Sequence, residues 1–452
     1  MIEWMIAAPS SGSGKTTVCA ALITLLRRRG LRTAAFKCGP DYLDPTFHHT
    51  DKSITGCNLD LFLASEDKVR ALYRRYSAGC DAAVTEGVMG FYDGVGGTTD
   101  RAGSWHTAVT LGLPVLLVLR PKGASLTLAA ELRGLQSFRR DSRIRALFLA
   151  DTSPRYAERL APMLEAETGL PVLGSLPHLE GASLPSRHLG LLPAEELADR
   201  EAVLNRLADA LEQNTDLDRL FSLGVRSGPK EAFVREALPP VRARVACARD
   251  EAFGFCYPET LDAFREAGIE PVFFSPLRDG RLPENCGGLY LPGGYPEVYA
   301  EELFQNRAMR DAVSAAVRSG MPCAAECGGF LYLGQALEGT DGKLRPMCGV
   351  LPGTAHRTPR PVRFGYAELT AKEDSLLFRA GEKLPVHEFH YWESDAPGSA
   401  MTAEKPVTGQ SWECCYASPT LYAGFPHLYF ADAPEAVRRF GDAAERFSAA
   451  AL

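Results

Sequence analysis

Short runs of aliphatic and β-branched residues recur along the first part of the chain, each followed by a stretch with helical spacing of its apolar positions. MIAA at 5–8, TAAF at 33–36, AAVT at 82–85, VLLVL at 115–119 and ALFLA at 146–150 are short and nearly continuous in apolar character. Runs of this kind suit strands buried on both faces, so they predict a parallel sheet with helices packed on either side. Between 191 and 240 the pattern changes to the helical EELADREAVLNRLADALEQ and then to the polar SLGVRSGPKEAFVREALPP, punctuated by Pro239 and Pro240. A second alternating series follows, through VRARVACA, the helical YPETLDAFREAG, the strand PVFFSP and GGLYLPGG at 287–294. The spacing then predicts a helix over 301–319, with Met309, Ala312, Val313, Ala316 and Val317 on one face and Gly320 as its stop. The organisation expected is an α/β domain over 1–225, a linker over 226–242, a second α/β domain over 243–436 and a C-terminal helix or tail over 437–452.

A length of 452 residues agrees with two or three domains, at roughly 150 residues each. Composition narrows the function. Apolar residues make up 46% and charged residues 23%, and a net charge of -7 offers no basic footprint for nucleic acid. The N-terminal stretch MIEWMIAAPSSGSGK lacks a basic region and carries Glu3, and the run TAVTLGLPVLLVL at 107–119 is short and broken by Gly112 and Pro114. Neither suits a signal peptide or a membrane span, so a cytoplasmic protein without a membrane partner is expected. The 12 cysteines are scattered without a C-x-x-C, which predicts reduced, mostly buried thiols, the adjacent Cys414 and Cys415 included.

Candidate chemistry begins at APSSGSGKTT, residues 8–17, between the first strand and a helix. Gly12 and Gly14, with Ser13 between them, let backbone amides turn toward an anion. Lys15 can reach terminal phosphates, and Thr16 and Thr17 open the helix, with Thr16 able to ligate magnesium. This is the pattern of a P-loop for ATP, although Pro9 stands where the first glycine is usual. Ser10 occupies the place where dimeric partitioning-type ATPases carry a second lysine, which argues against that class. Downstream, FKCGPDYLDPTFH (36–48) puts Lys37, Asp41 and Asp44 after the second strand, and VTEGVMGFYDG (84–94) puts Glu86 and Asp93 after the third. In an open parallel sheet, ligands lie beyond the carboxyl ends of the strands, so both clusters converge on the loop. Glu86 reads as a magnesium ligand, with Asp41 or Asp44 helping with metal or substrate. Asp44 and Asp93 also fit the plainer role of capping turns before Pro45 and Gly94.

The second half offers a nucleophile. In PCAAECGGF (322–330), Cys327 falls where a strand stops and GFLYLGQAL would begin a helix. A sharp turn exposes a thiol, and a helix starting beside it would lower its pKa. Cys323 reads as a small buried residue.

Together SSGSGKTT, FKCGPDYLDPTFH, CNLDLF (57–62), TEGVMGFYDG and LPSRHLGL (184–191) resemble cobyrinic acid a,c-diamide synthase, whose first domain is similar to dethiobiotin synthetase. The AECGG turn resembles that of class I glutamine amidotransferases, which implies a flavodoxin-like second domain. The resemblance implies that Lys15, Thr16 and Lys37 handle ATP phosphates and that Glu86 and an aspartate hold magnesium. It implies that Asp41, Asp44 and Asp93 surround the carboxylate being activated. It further implies that LPGGYPE carries the oxyanion amide at Gly293 or Gly294, and that His427 in GFPHLYF is the base for Cys327. Tyr429 stands where the usual His-x-Glu acid would be, as in the branch described as working with Cys and His alone. Arg120 departs from the acidic residue expected in relatives. His387 and His390 of HEFHYW have a structural reading, without a metal.

The function implied is ATP- and glutamine-dependent amidation of the a and c acetate arms of cobyrinate or hydrogenobyrinate. Sirohydrochlorin and nickel-sirohydrochlorin, with similar arms, stay open as substrates, as does a homodimer. Cobyric acid synthase is the near alternative, against which KCGPDYLDP and SSGSGKTT argue. A nucleotide-gated binding module with an inert glutaminase half is the alternative from a different class.

Overall fold

The computed structural model describes residues 1–42, 54–181, 186–187, 190–191, 199–225, 233 and 237–450. Asp44 lies outside the described residues, as do Leu184, Pro185, His188 and Leu189 of LPSRHLGL and most of the stretch expected to be a linker. The chain divides into two compact units, Met1–Arg235 and Glu236–Leu452.

The first unit is a seven-stranded sheet, parallel throughout, in the order β3-β2-β4-β1-β5-β6-β7. The strands are β1 Ile2–Ala7, β2 Thr33–Cys38, β3 Asn58–Leu59, β4 Ala82–Glu86, β5 Val115–Leu119, β6 Ile144–Ala150 and β7 Val172–Leu176. Every residue of β2, β4 and β5 is buried, which is why these segments show no polar alternation. Helix α1, Lys15–Arg28, buries Val18, Leu22, Leu25 and Leu26 against the sheet and ends on Arg27 and Arg28, which suit its negative pole. The central strand is tied to the helix Leu217–Gly224 by Trp4, whose Nε1 donates to the Leu220 carbonyl at 3.1 Å.

The second unit has a parallel sheet ordered Ile269–Phe274, Ala243–Ala248, Gly288–Leu291, Cys323–Glu326 and Leu421–Gly424, with Tyr416–Ser418 antiparallel at the edge. Against it packs the helix Pro434–Ala450, which buries Val437, Phe440 and Ala444 in the same core as the strand residues Val245 and Tyr290. The helix expected over 301–319 is two helices, Ala300–Gln305 and Arg307–Arg318. Asn306 makes the break: its side chain accepts from the Met309 amide at 3.4 Å and donates to the carbonyls of Pro276 and Asp279 at 2.9 and 2.8 Å.

A second, largely antiparallel sheet joins Thr354–Ala371 to Lys383–Ser394, which pairs in turn with His427–Leu428. The sequence pattern gives little sign of the first of these strands. It carries Pro359 and Pro361, and its register with the partner strand shifts between Arg357 and Val362 and again before Gly365, so apolar alternation is broken at each irregularity. Among the described residues no helix is long and apolar enough to cross a membrane.

Candidate active site

The phosphate loop in the first unit turns on Gly12 (φ 76°) and Gly14 (φ 93°), left-handed conformations that favour glycine. A side chain at Gly14 would also meet Ala150 at 3.0 Å, so β6 approaches the loop closely. Lys15 is buried, and its Nζ donates to the carbonyls of Ser10 (3.2 Å) and Met89 (2.6 Å), folding the ammonium across the loop mouth. Thr16 Oγ1 donates to Glu86 Oε1 at 2.5 Å, and Lys37 Nζ pairs with the same oxygen at 3.0 Å. Glu86 is 1% exposed, and a buried carboxylate of this kind is held by opposite charge and hydrogen bonding. A hydroxyl and a carboxylate side by side form a hard oxygen donor set that fits magnesium.

A cavity of about 380 Å³ adjoins the loop, lined by Gly12 to Thr17, Arg120, Asp151, His178 and Leu179 among others. Arg120 Nε donates to Asp151 Oδ2 at 2.8 Å and its Nη1 to the Gly12 carbonyl at 3.4 Å. The Arg120 guanidinium holds the Asp151 carboxyl below its usual range, and His178 bonds the same carboxylate at 3.0 Å. An acid does lie beside position 120, Asp151, directly after the strand Ile144–Ala150. Asp41 is positioned through its backbone, the Asn58 amide donating to its carbonyl at 2.6 Å. Asp93 Oδ2 accepts from the Gly90 amide at 3.1 Å, the bond of a turn-forming aspartate, and a side chain at Gly90 would stand 2.6 Å from the Pro9 carbonyl. The Asp93 loop therefore lies against the phosphate loop.

In the second unit Cys327 ends the strand Cys323–Glu326 and caps the helix Gly328–Leu333. Its φ of 45° and ψ of -102° are strained for a residue with a side chain, a feature that clusters at functional sites. The turn is pinned by the Cys327 amide, which donates to the Gly424 carbonyl at 2.8 Å, three residues before His427. Around it the glycines leave no spare volume. A Cβ on Gly329 would lie 2.1 Å from the Leu291 carbonyl, and one on Gly328 would lie 3.0 Å from the Gly294 nitrogen. A Cβ on Gly293 would stand 2.5 Å from His427 Cε1. Gly293, Gly294, Cys327 and His427 are thereby brought together at the carboxyl ends of neighbouring strands.

The helix was expected to lower the thiol pKa, and here the balance is the reverse. Burial pushes the Cys327 thiol well above its usual value, with the carboxylates of Glu297 and Glu388 adding to the rise and the Gly328 amide opposing it. One short helix does not offset a site that is 5% exposed and ringed by carboxylates.

Two buried carboxylates escaped the sequence reading. Glu326, beside Cys327, has Oε2 3.6 Å from His427 Nδ1, and its Oε1 accepts from the Tyr290 hydroxyl at 3.3 Å. Glu388, between His387 and His390, is wholly buried with Oε2 3.5 Å from Arg363 Nε and 3.4 Å from His390 Nε2. The signal was present in ECGG and HEFH, but an acid beside another functional residue reads as background until its partner is known. Tyr429, in place of the usual acid, donates to Glu259 at 3.0 Å. His390 stacks on Phe425 at 3.8 Å, and His387 makes edge contacts with Phe364 and Tyr366, so both rings serve aromatic packing. Cys323 is fully buried in its strand, and none of the 12 cysteines is in a disulfide, Cys414 and Cys415 having their sulfurs 3.6 Å apart.

Comparison with known proteins agrees with both halves. Residues 4–192 match the CobQ/CobB/MinD/ParA nucleotide binding domain, and residues 244–434 match the CobB/CobQ-like glutamine amidotransferase domain. Over 449 residues the chain is 35% identical to the cobyrinate a,c-diamide synthase of Caldanaerobacter subterraneus subsp. tengcongensis, covering 98% of each. It is 37% identical over 451 residues to that of Salmonella typhimurium, again 98% of each, and 39% identical over 444 residues to that of Gloeobacter violaceus, covering 96% of this chain and 95% of the relative. With a phosphate loop and a cysteine turn built as described, and likeness running the length of both proteins, this chain belongs to the cobyrinate a,c-diamide synthase family.

Proposed function

We propose that the protein uses ATP and glutamine to convert the a and c acetate carboxylates of cobyrinate, or of hydrogenobyrinate, into amides. One combination carries this reading: a phosphate loop backed by Lys37 and Glu86, and a strained cysteine turn packed on the Gly293–Gly294 loop against which His427 also lies, in a single chain.

In the second unit His427 takes the Cys327 proton as the sulfur attacks the side-chain amide carbon of glutamine. The Gly294 amide, with Gly293, receives the developing oxyanion. The carbon–nitrogen bond breaks, the nitrogen takes the proton back from His427, and ammonia leaves a γ-glutamyl thioester that water hydrolyses to glutamate and the free thiol.

In the first unit Lys15 and Lys37 hold the ATP phosphates, and Asp41, Asp44 and Asp93 position the acid. Thr16 and Glu86, with Asp41, would hold magnesium, which when bound neutralises charge building on the transferred phosphoryl group. A carboxylate oxygen attacks the γ-phosphorus and ADP departs. Ammonia then attacks the acyl phosphate carbon, expelling phosphate and leaving the amide. Activation is required because a carboxylate oxygen is otherwise a poor leaving group. Use of ATP and a full set of cysteines outside disulfides suit a cytoplasmic enzyme.

The test is mass analysis of tetrapyrrole acids incubated with ATP, magnesium and glutamine, beside the Cys327→Ser variant fed free ammonia. Two amides on cobyrinate, and retained amidation by Cys327→Ser with ammonia but not glutamine, are expected. Amidation of sirohydrochlorin alone would reassign the substrate, and absence of glutamate release by the wild type would overturn the glutaminase reading.

A further inference from the structure

We propose that Glu326 supplies the carboxylate that orients His427, replacing the acid that position 429 lacks. The inference rests on the glutaminase reading above and adds a positioning residue to it.

A histidine that accepts a thiol proton at one ring nitrogen works best with the other held as a donor, so that the ring keeps one tautomer and orientation and its cationic form is stabilised. Tyr429 cannot do this. Its ring is buried, edge-on to Tyr257 at 5.3 Å, and its hydroxyl is committed to Glu259. Glu326 reaches the same ring from the opposite chain direction. It is the last residue of the strand Cys323–Glu326, paired with Gly424 of the neighbouring strand, and His427 follows that strand through the turn at Phe425 and Pro426.

Alternation along the strand sends the Glu326 side chain to the face opposite Ala325, and the carboxylate sits 1% exposed with one oxygen near His427 Nδ1 and the other accepting from Tyr290. Tyr290 holds the carboxylate from the strand that leads into the PGG loop, so oxyanion loop, base and acid share one scaffold. Cys256, Tyr422 and the Cys327 thiol itself lie within the field of the Glu326 carboxylate, which raises the pKa of each, and His387 lies within that of the His427 ring. Burial raises the Glu326 pKa and the His427 ring opposes that rise.

In catalysis the 3.6 Å between them closes so that Nδ1–H of His427 donates to Glu326, and Nε2 accepts the Cys327 proton. The imidazolium so formed lies against the carboxylate until the proton passes to ammonia. The Glu326 carboxylate is turned to Tyr290 and His427, so its replacement should act on turnover and leave KM for glutamine unchanged.

The full-length Glu326→Gln and Glu326→Asp variants test this, assayed for glutamate release, for ammonia-driven amidation, and for the pH dependence of Cys327 alkylation by iodoacetamide. Wild-type glutamate release, lost in Cys327→Ser, first establishes the underlying reading independently. Glu326→Gln should then lower kcat for glutamine hydrolysis by about 10²–10⁴-fold, as amide replacement does in a serine triad, with KM for glutamine unchanged. Glu326→Asp should recover part of that loss, and the alkylation profile should shift in Glu326→Gln. Ammonia-driven amidation should be unchanged in both. Wild-type hydrolysis by Glu326→Gln, or an unmoved alkylation profile, overturns the assignment. Parallel loss of ammonia-driven amidation in both variants does so as well, by making Glu326 a structural residue.

Discussion

Adding one methyl group at Gly293 should cripple glutamine hydrolysis while sparing the rest of the enzyme. The Cβ of Gly293→Ala would stand 2.5 Å from His427 Cε1 and 3.3 Å from Nδ1. Carbon atoms rest at about 3.5–4.0 Å, so the imidazole must retreat by roughly 1 Å. It has little room to do so, since the ring is 3% exposed. A displacement of that size in a catalytic group costs on the order of 10²-fold in rate. The assay is glutamate release under saturating glutamine, beside amidation driven by free ammonia and a thermal unfolding scan. The expected outcome is a loss of about 10²-fold in the first, none in the second and a small shift in the third. Gly294→Ala is the contrast: its Cβ would lie 2.0 Å from the Ala252 carbonyl, a backbone atom that cannot rotate away, so the fold and amidotransfer should suffer together. Hydrolysis by Gly293→Ala at the wild-type rate would refute the placement of His427 against this loop.

Three further outcomes follow from the same structure. Lys15→Ala, which removes the ammonium held between the Ser10 and Met89 carbonyls, should lower ADP formation by about 10²–10³-fold and leave glutamate release intact. His387 is buried so that its pKa falls to about 3, against about 6.5 when unfolded, so the unfolded chain takes up the proton first as pH falls. Stability should be complete above about pH 6.5 and drop by roughly 1.4 kcal/mol per pH unit below it, and denaturant titrations of His387→Phe should lose that part of the slope. Asn306→Ala, which deletes a helix cap and two bonds to the Pro276 and Asp279 carbonyls, should cost about 1–2 kcal/mol in urea unfolding without changing either activity.

The parts of the site that could be read in advance are those whose physics is local. A buried strand, glycines at Gly12 and Gly14 and a helix beginning at Lys15 lie within a dozen or so residues of one another, so spacing alone specifies an anion site. The turn at Cys327 is legible for the same reason, and so are the five apolar runs of the first sheet, because strands buried on both faces are mostly apolar. The helix over 301–319 was legible as apolar periodicity, but its division at Asn306 depends on two carbonyls from a distant loop.

What the chain order leaves open is decided by which distant groups share a buried volume. The sheet built on Thr354–Ala371 appears only when Lys383–Ser394 pairs with it across its bulges, and that pairing lays His387 beside His427. The same assembly puts Glu326 near His427, ties Tyr429 to Glu259, and sets Asp151 where Arg120 needs an acid. It also reverses the expected shift of the Cys327 thiol, because desolvation and nearby carboxylates depend on the whole packed surround, while a helix N-terminus is visible in sequence. The sequence by itself thus determined the cysteine turn, the phosphate loop and the strand series, each governed by neighbours in the chain. Tertiary structure decided protonation, orientation and pairing, because charge is felt through space and a buried carboxylate takes its role from whatever partner folding brings within reach.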